Sequence, residues 1–174
     1  GHDRLTDWND LDFVYNDNGE LTSKTDTVSL DVTTYSWDTF GKLKAITLPN
    51  ADVISYKYDG KGRKALVLLN GSVQYALLYE SQYKPVAQMD GSGNLISRFV
   101  WGSKLNTPEY MIKGGETYRM VTDPRGSVRL VLKASDGTVA QKLEYNEWGE
   151  VISDSNPGFQ PFGYAGGLYD SQTG

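Results

Sequence analysis

Cysteine is absent from this 174-residue chain, and histidine occurs once, at His2. The first absence excludes disulfide staples and thiolate chemistry without fixing a compartment. The second leaves no histidine base to activate a nucleophile, and no Cys/His set for zinc. No apolar run approaches the roughly 18 residues that a membrane helix needs. Basic residues number 17 against 22 acidic ones, for a formal charge of -5. Neither sign gathers into a block, so nucleic acid would meet net repulsion with no basic groove to offset it, and no nucleic-acid partner is expected. A sustained helical apolar period is missing too, so a helix is expected only as a short exception. No signal peptide is visible, and Gly1-His2 reads as a tag remnant.

What is present is aromatic and turn-rich. There are 12 Tyr, 4 Trp and 5 Phe, with 19 Gly. Four stretches share one grammar: Tyr15-Asn16-Asp17-Asn18-Gly19-Glu20-Leu21, Trp37-Asp38-Thr39-Phe40-Gly41-Lys42-Leu43, Tyr58-Asp59-Gly60-Lys61-Gly62-Arg63-Lys64 and Tyr145-Asn146-Glu147-Trp148-Gly149-Glu150-Val151. Each is an aromatic, an Asn or Asp, two variable residues, Gly and a charged residue. A short Asx side chain bonds the backbone two residues on, and Gly accepts the positive φ of a tight reversal. The units therefore read as repeated hairpins, with Gly19, Gly41 and Gly62 at near-constant spacing and Asp17, Asp38 and Asp59 as turn residues.

Residues 1–10 are polar with a lone Trp8 and are expected to be frayed or weakly docked. Strands are expected at 11–15, 21–25, 28–37 and 43–48, the third with Val28, Leu30 and Val32 on one face and Thr33, Tyr35 and Trp37 on the other. Pro49-Asn50 stops the fourth. Ile54, Tyr56 and Tyr58 then alternate with Ser55 and Lys57 as a half-buried strand. Asn70-Gly71 suits a two-residue type I′ turn. Further hairpins fit at Gly114-Gly115 and Asp136-Gly137, with a looser one at 90–94. The aromatic-Asx spelling is lost between about 70 and 125. Some 12 to 14 short strands joined by short links must pair antiparallel with their neighbours. The expected fold is all-β: an antiparallel meander of consecutive β-hairpins forming a strongly curved sheet, with Tyr and Trp on one side and Val, Leu and Ile on the other.

The units at Trp37-Asp38-x-x-Gly41 and Tyr58-Asp59-x-x-Gly62 resemble the YD repeats of the RHS/YD-repeat proteins, a group with bacterial polymorphic toxins, the C components of insecticidal ABC toxins, and teneurins. Thr122-Asp123-Pro124-Arg125-Gly126-Ser127, then Tyr145-Asn146-Glu147-Trp148-Gly149, then Pro161-Phe162-Gly163-Tyr164-Ala165-Gly166-Gly167-Leu168-Tyr169-Asp170 through Gly174, resemble in order the opening of the RHS core region. The resemblance divides the chain into a lead-in at 1–10, a YD-repeat shell segment at 11–117 and a core-like region at 118–174. It implies a hollow β-shell around a C-terminal effector, in a secreted or cell-surface parent. The family's self-cleavage and toxin parts lie beyond the matching motifs, so this stretch is expected to be a wall segment, not an enzyme, without cofactor or metal. Its expected partners are the remainder of the shell and the enclosed effector, with self-association through strand edges as a further expectation.

Two other readings stay open. Rings on a sheet stack on sugars as well as on one another, so Trp37, Tyr56, Tyr58, Trp101 and Trp148 also fit a carbohydrate-binding surface for cell-surface glycans. Paired carboxylates about 5 to 9 Å apart would suit a hydrolase. Against the second, the recurring Asp residues are explained by backbone bonding in turns, and Asp123-Pro124 reads as a turn with Pro at its second position. Gly163, Gly166 and Gly167 lack the following Lys and helix of a phosphate loop and read as close-packing positions.

Overall fold

The computed structural model describes residues 4–173. Gly1, His2 and Gly174, and with them the tag reading and the end of the core motif, lie outside the described residues. Among the described residues fifteen strands form one sheet in strict sequence order, and each named strand pair runs antiparallel. The first and last strands each have one neighbour, so the sheet is not closed. The all-β hairpin meander expected from the short links is what forms.

The chain gathers into two compact units, 1–76 and 77–174. The first holds β1 (Asp7–Trp8), β2 (Leu11–Tyr15), β3 (Leu21–Asp26), β4 (Val32–Trp37), β5 (Leu43–Thr47), β6 (Val53–Tyr58), β7 (Lys64–Leu69) and most of β8 (Ser72–Tyr79). Its core is Ile46, Ile54, Tyr56 and Val67, with Tyr35, Leu43, Tyr58 and Tyr75 packed against it. Aromatic and aliphatic residues thus share one face. The expected segregation fails because Ile54 and Tyr56 stand two residues apart on one strand, and Tyr35 pairs with Ile46 and Tyr56 with Val67 in unbroken register. The expected strand from Val28 is also shorter. Asp26 Oδ1 accepts from the Val28 and Ser29 amides, Leu30 adopts φ 65, and pairing resumes only at Val32. Val28 and Leu30 are accordingly 75% and 73% exposed. Asn70 and Gly71 at φ 50 and 81 make the two-residue turn between β7 and β8.

The second unit holds the end of β8, then β9 (Pro85–Met89), β10 (Leu95–Val100), β11 (Tyr110–Lys113), β12 (Glu116–Thr122), β13 (Val128–Lys133), β14 (Val139–Tyr145) and β15 (Val151–Asp154). After β15 the chain returns across this unit as a strap, with one short 3-10 turn at Tyr164–Gly166. The strap inserts Phe162, 2% exposed, edge-on against Phe99 and Trp101 at 5.0 and 6.0 Å between centroids. Its polar groups are matched. Gln160 Nε2 donates to Gln141 Oε1 and the Phe162 carbonyl, and Lys113 Nζ donates to the Phe159 carbonyl.

Candidate functional site

The repeated turn is one piece of geometry used many times. In the second copy the Asp38 amide donates to the Lys42 carbonyl and the Gly41 amide to the Asp38 carbonyl. Asp38 Oδ1 accepts from the amides of Phe40 and Lys42 at 2.8 and 2.9 Å. Gly41, at φ 72, supplies the left-handed residue that closes a type I turn into a bulged hairpin. The same closure recurs at 59–63, with Gly62 at φ 77, and at 146–150, with Gly149 at φ 91. In the first copy Asn16 holds the accepting place, and Asp17 is the next residue along.

Two further copies lack the aromatic. Asp90 Oδ1 accepts from the Ser92 and Asn94 amides, and Asp123 Oδ1 from the Arg125 and Ser127 amides, with Gly93 and Gly126 at φ 85 and 91. These bonds stabilise the ionised carboxylates. Arg63, bonded to Asp59 through its side chain and backbone, holds that carboxyl down to about 2. Backbone amides lower Asp38, led by that of Lys42, while for Asp123 burial pushes upward and the Ser127 and Arg125 bonds outweigh it. A carboxylate so engaged is a poor proton acceptor at neutral pH.

The aromatic before the turn has a different task. Trp37 Nε1 donates to the Leu21 carbonyl at 2.7 Å, and Tyr58 Oη to the Leu43 carbonyl at 2.8 Å. In the second unit Trp101 Nε1 donates to the Pro85 carbonyl at 2.7 Å and Tyr145 Oη to the Val128 carbonyl at 2.9 Å. Each ring therefore pins the strand that begins just after the preceding turn of the same edge. A cation from that earlier turn often sits over the ring: Lys42 over Tyr58 at 5.2 Å, Lys84 over Trp101 at 5.6 Å. Trp101 and Lys84 lie inside the stretch where the motif spelling is lost. The aromatics at 15, 37, 58, 79 and 101 stand 21 or 22 residues apart, a signal that reading by turn residues alone misses.

The core-motif residues converge in the second unit. Phe162 is buried, and Gly163 gives its carbonyl to the Val128 amide. Gly166, at φ 75, leaves no room for a β-carbon because the Asn106 carbonyl and Thr107 Oγ1 occupy its place. Gly126 is likewise overlaid by Asn106, whose Nδ2 donates to the Arg125 and Ala165 carbonyls. Gly167 donates its amide to the Tyr164 carbonyl, the Tyr169 amide bonds the Pro161 carbonyl, and Asp170 Oδ1 accepts from Gln172. Asp123, Pro124, Arg125, Arg129, Tyr145, Asn146, Glu147 and Tyr164 line a cleft of about 390 Å³ between the turns 123–127 and 146–150. Among the described residues no group of three or more His, Cys, Asp or Glu comes together as a metal site.

A profile of the teneurin YD-shell family matches residues 1–174. The chain belongs to that family. The YD-shell chain is 26% identical over 181 residues to the tRNA3(Ser)-specific nuclease WapA of Bacillus spizizenii, covering 98% of this chain and 7% of that protein. It is 25% identical over 176 residues to teneurin-1 of Gallus gallus, again over 98% of this chain and 6% of the relative. The YD-shell chain thus spans a small fraction of the curated relatives that it matches. Among solved structures it superposes on the TcdB2-TccC3-Cdc42 crystal structure with a TM-score of 0.57 at 15% identity, over 92% of this chain and 11% of that one. That likeness is one of fold.

Proposed function

We propose that this chain is a wall segment of an RHS/YD shell whose parent, secreted or displayed at a cell surface, encloses a C-terminal toxin or effector. The observation that carries this reading is the repeated staple, in which each ring is tied to the strand start of the repeat before it. Such bonds extend a sheet repeat by repeat, which suits a long wall, and neighbour-to-neighbour contact is how repeat architectures gain stability. On this reading 11–117 is the YD-repeat part and 118–174 the core-like part, and the motif residues hold turns and strap. The segment itself performs no reaction, since the Asp residues of its turns are engaged by backbone amides. The match covers 7% of the Bacillus relative, and the nuclease activity in that protein's name is not carried over to this segment.

Two measurements test this. In the full-length parent, the region after the shell is expected to resist added protease, and a triple Trp37→Ala, Tyr58→Ala, Trp101→Ala variant is expected to speed its digestion. Equal digestion rates in both would refute enclosure. Incubation of this chain with tRNA and with labelled oligosaccharides is expected to give no products; turnover abolished by Asp59→Asn or Asp123→Asn would refute the absence of activity.

A further inference from the structure

The cleft between the last two turns of this edge has chemistry that the wall does not use. Its floor is an aromatic pair: the Tyr164 and Tyr145 rings meet edge-on with centroids 5.7 Å apart, and the Arg129 guanidinium sits 5.0 Å over the Tyr145 ring. Gly149 permits this, because a β-carbon there would fall on the Tyr164 ring. The walls are the turn tips, Pro124-Arg125 on one side and Asn146-Glu147 on the other.

The hydrogen-bonding groups divide into engaged and open sets. Asp123 is filled by two amides and by Arg129 at 3.3 Å, and Asn146 by two amides and by Glu150. The Arg125 guanidinium donates one bond, from Nη1 to Tyr164 Oη, and its other nitrogens have no further partner among the described residues. The Glu147 carboxylate is also open, on the opposite wall. The cleft therefore offers a guanidinium tied at one nitrogen and open at the others on one side, an acceptor on the other and the Tyr164 ring below.

We infer that this cleft binds an acidic sugar, with the ligand carboxylate on Arg125, its hydroxyls on Glu147 and the Tyr164 hydroxyl, and its ring face over Tyr164. A guanidinium held in place matches a carboxylate in two-point geometry. A bare anion would leave the rings and Glu147 unused, and a neutral sugar would leave Arg125 unfilled. The volume falls within the roughly 300–1,000 Å³ typical of small-molecule sites.

Calorimetric titration of the full chain with galacturonate trimer, maltotriose and acetate at low ionic strength tests it. Saturable binding is expected for the uronate, about tenfold or more tighter than for the neutral trimer or acetate. Arg125→Ala, a change at an exposed turn tip, is expected to weaken uronate binding about tenfold or more with an unchanged melting midpoint. Tyr164→Phe keeps the ring and removes the hydroxyl that fixes Arg125, so a smaller loss is expected. No saturable heat with the uronate, equal affinity for maltotriose or acetate, or unaltered binding by both variants would overturn the inference.

Discussion

Glycines with the same backbone conformation hold very different surroundings here. Gly62 at φ 77 faces only the mobile tip of Lys42, whereas Gly166 at φ 75 faces the backbone of Asn106. A β-carbon at either position meets the left-handed penalty of about 1–2 kcal/mol. At Gly62 the ammonium moves aside and little is added. At Gly166 the 101–109 loop or the strap must shift, and the bond from Asn106 to the Ala165 carbonyl is lost with it. Gly166→Ala is therefore expected to destabilise clearly more than Gly62→Ala, read as urea midpoints of the two variants side by side; equal midpoints would contradict this packing account. Gly62 was legible from sequence because its turn is local. The contact at Gly166 was not, since its partner is some 60 residues away and no spacing rule connects them.

At the scale of a hairpin, turn and staple divide the work. The turn is closed by an Asx oxygen, which Asn16 and Asn146 supply as well as Asp38, Asp59, Asp90 and Asp123. The staple needs a ring with a donor, so either Trp or Tyr fills that place, as at Trp37, Tyr58, Trp101 and Tyr145. Tyr58→Phe keeps the packing but leaves the Leu43 carbonyl without its donor, and a loss of about 1 kcal/mol is expected in chemical denaturation. Tyr83→Phe, at an 80% exposed ring, is expected to change nothing and serves as the control. The hairpins at Asn70-Gly71 and Gly114-Gly115 were readable because two-residue turns demand positive φ at both positions, as found. The strand expected from Val28 starts late because the Asp26 turn, whose apolar residues Val28 and Leu30 are exposed, interrupts an apolar alternation that spells a longer strand.

Across the whole molecule, the pattern of alternating strands foretold the meander but not the strap, whose docking depends on partners scattered from Phe99 to Gln141. Phe162→Ala removes a ring that touches both Phe99 and Trp101, and a loss of about 3–5 kcal/mol is expected, measured as a lowered unfolding midpoint. A second molecule-wide property comes from the turns. Asp26, Asp38, Asp59, Asp90, Asp123 and Asp136 all have carboxyls held below the ordinary value, and they are distributed through both units. Hydrogen bonds and ion pairs in the folded state favour the charged form, so the unfolded chain binds more protons in acid. The stability these groups contribute is fully present above their unfolded value of 3.8 and is lost as pH falls, for Asp59 toward about 2. Thermal midpoints are therefore expected to decline steeply from pH 4 to pH 2. Replacing Asp38, Asp59 and Asp90 together by Asn keeps the accepting oxygen and removes the titrating proton, so the acid decline is expected to become shallower in that variant. An unchanged slope would show that the acid sensitivity originates outside the turns.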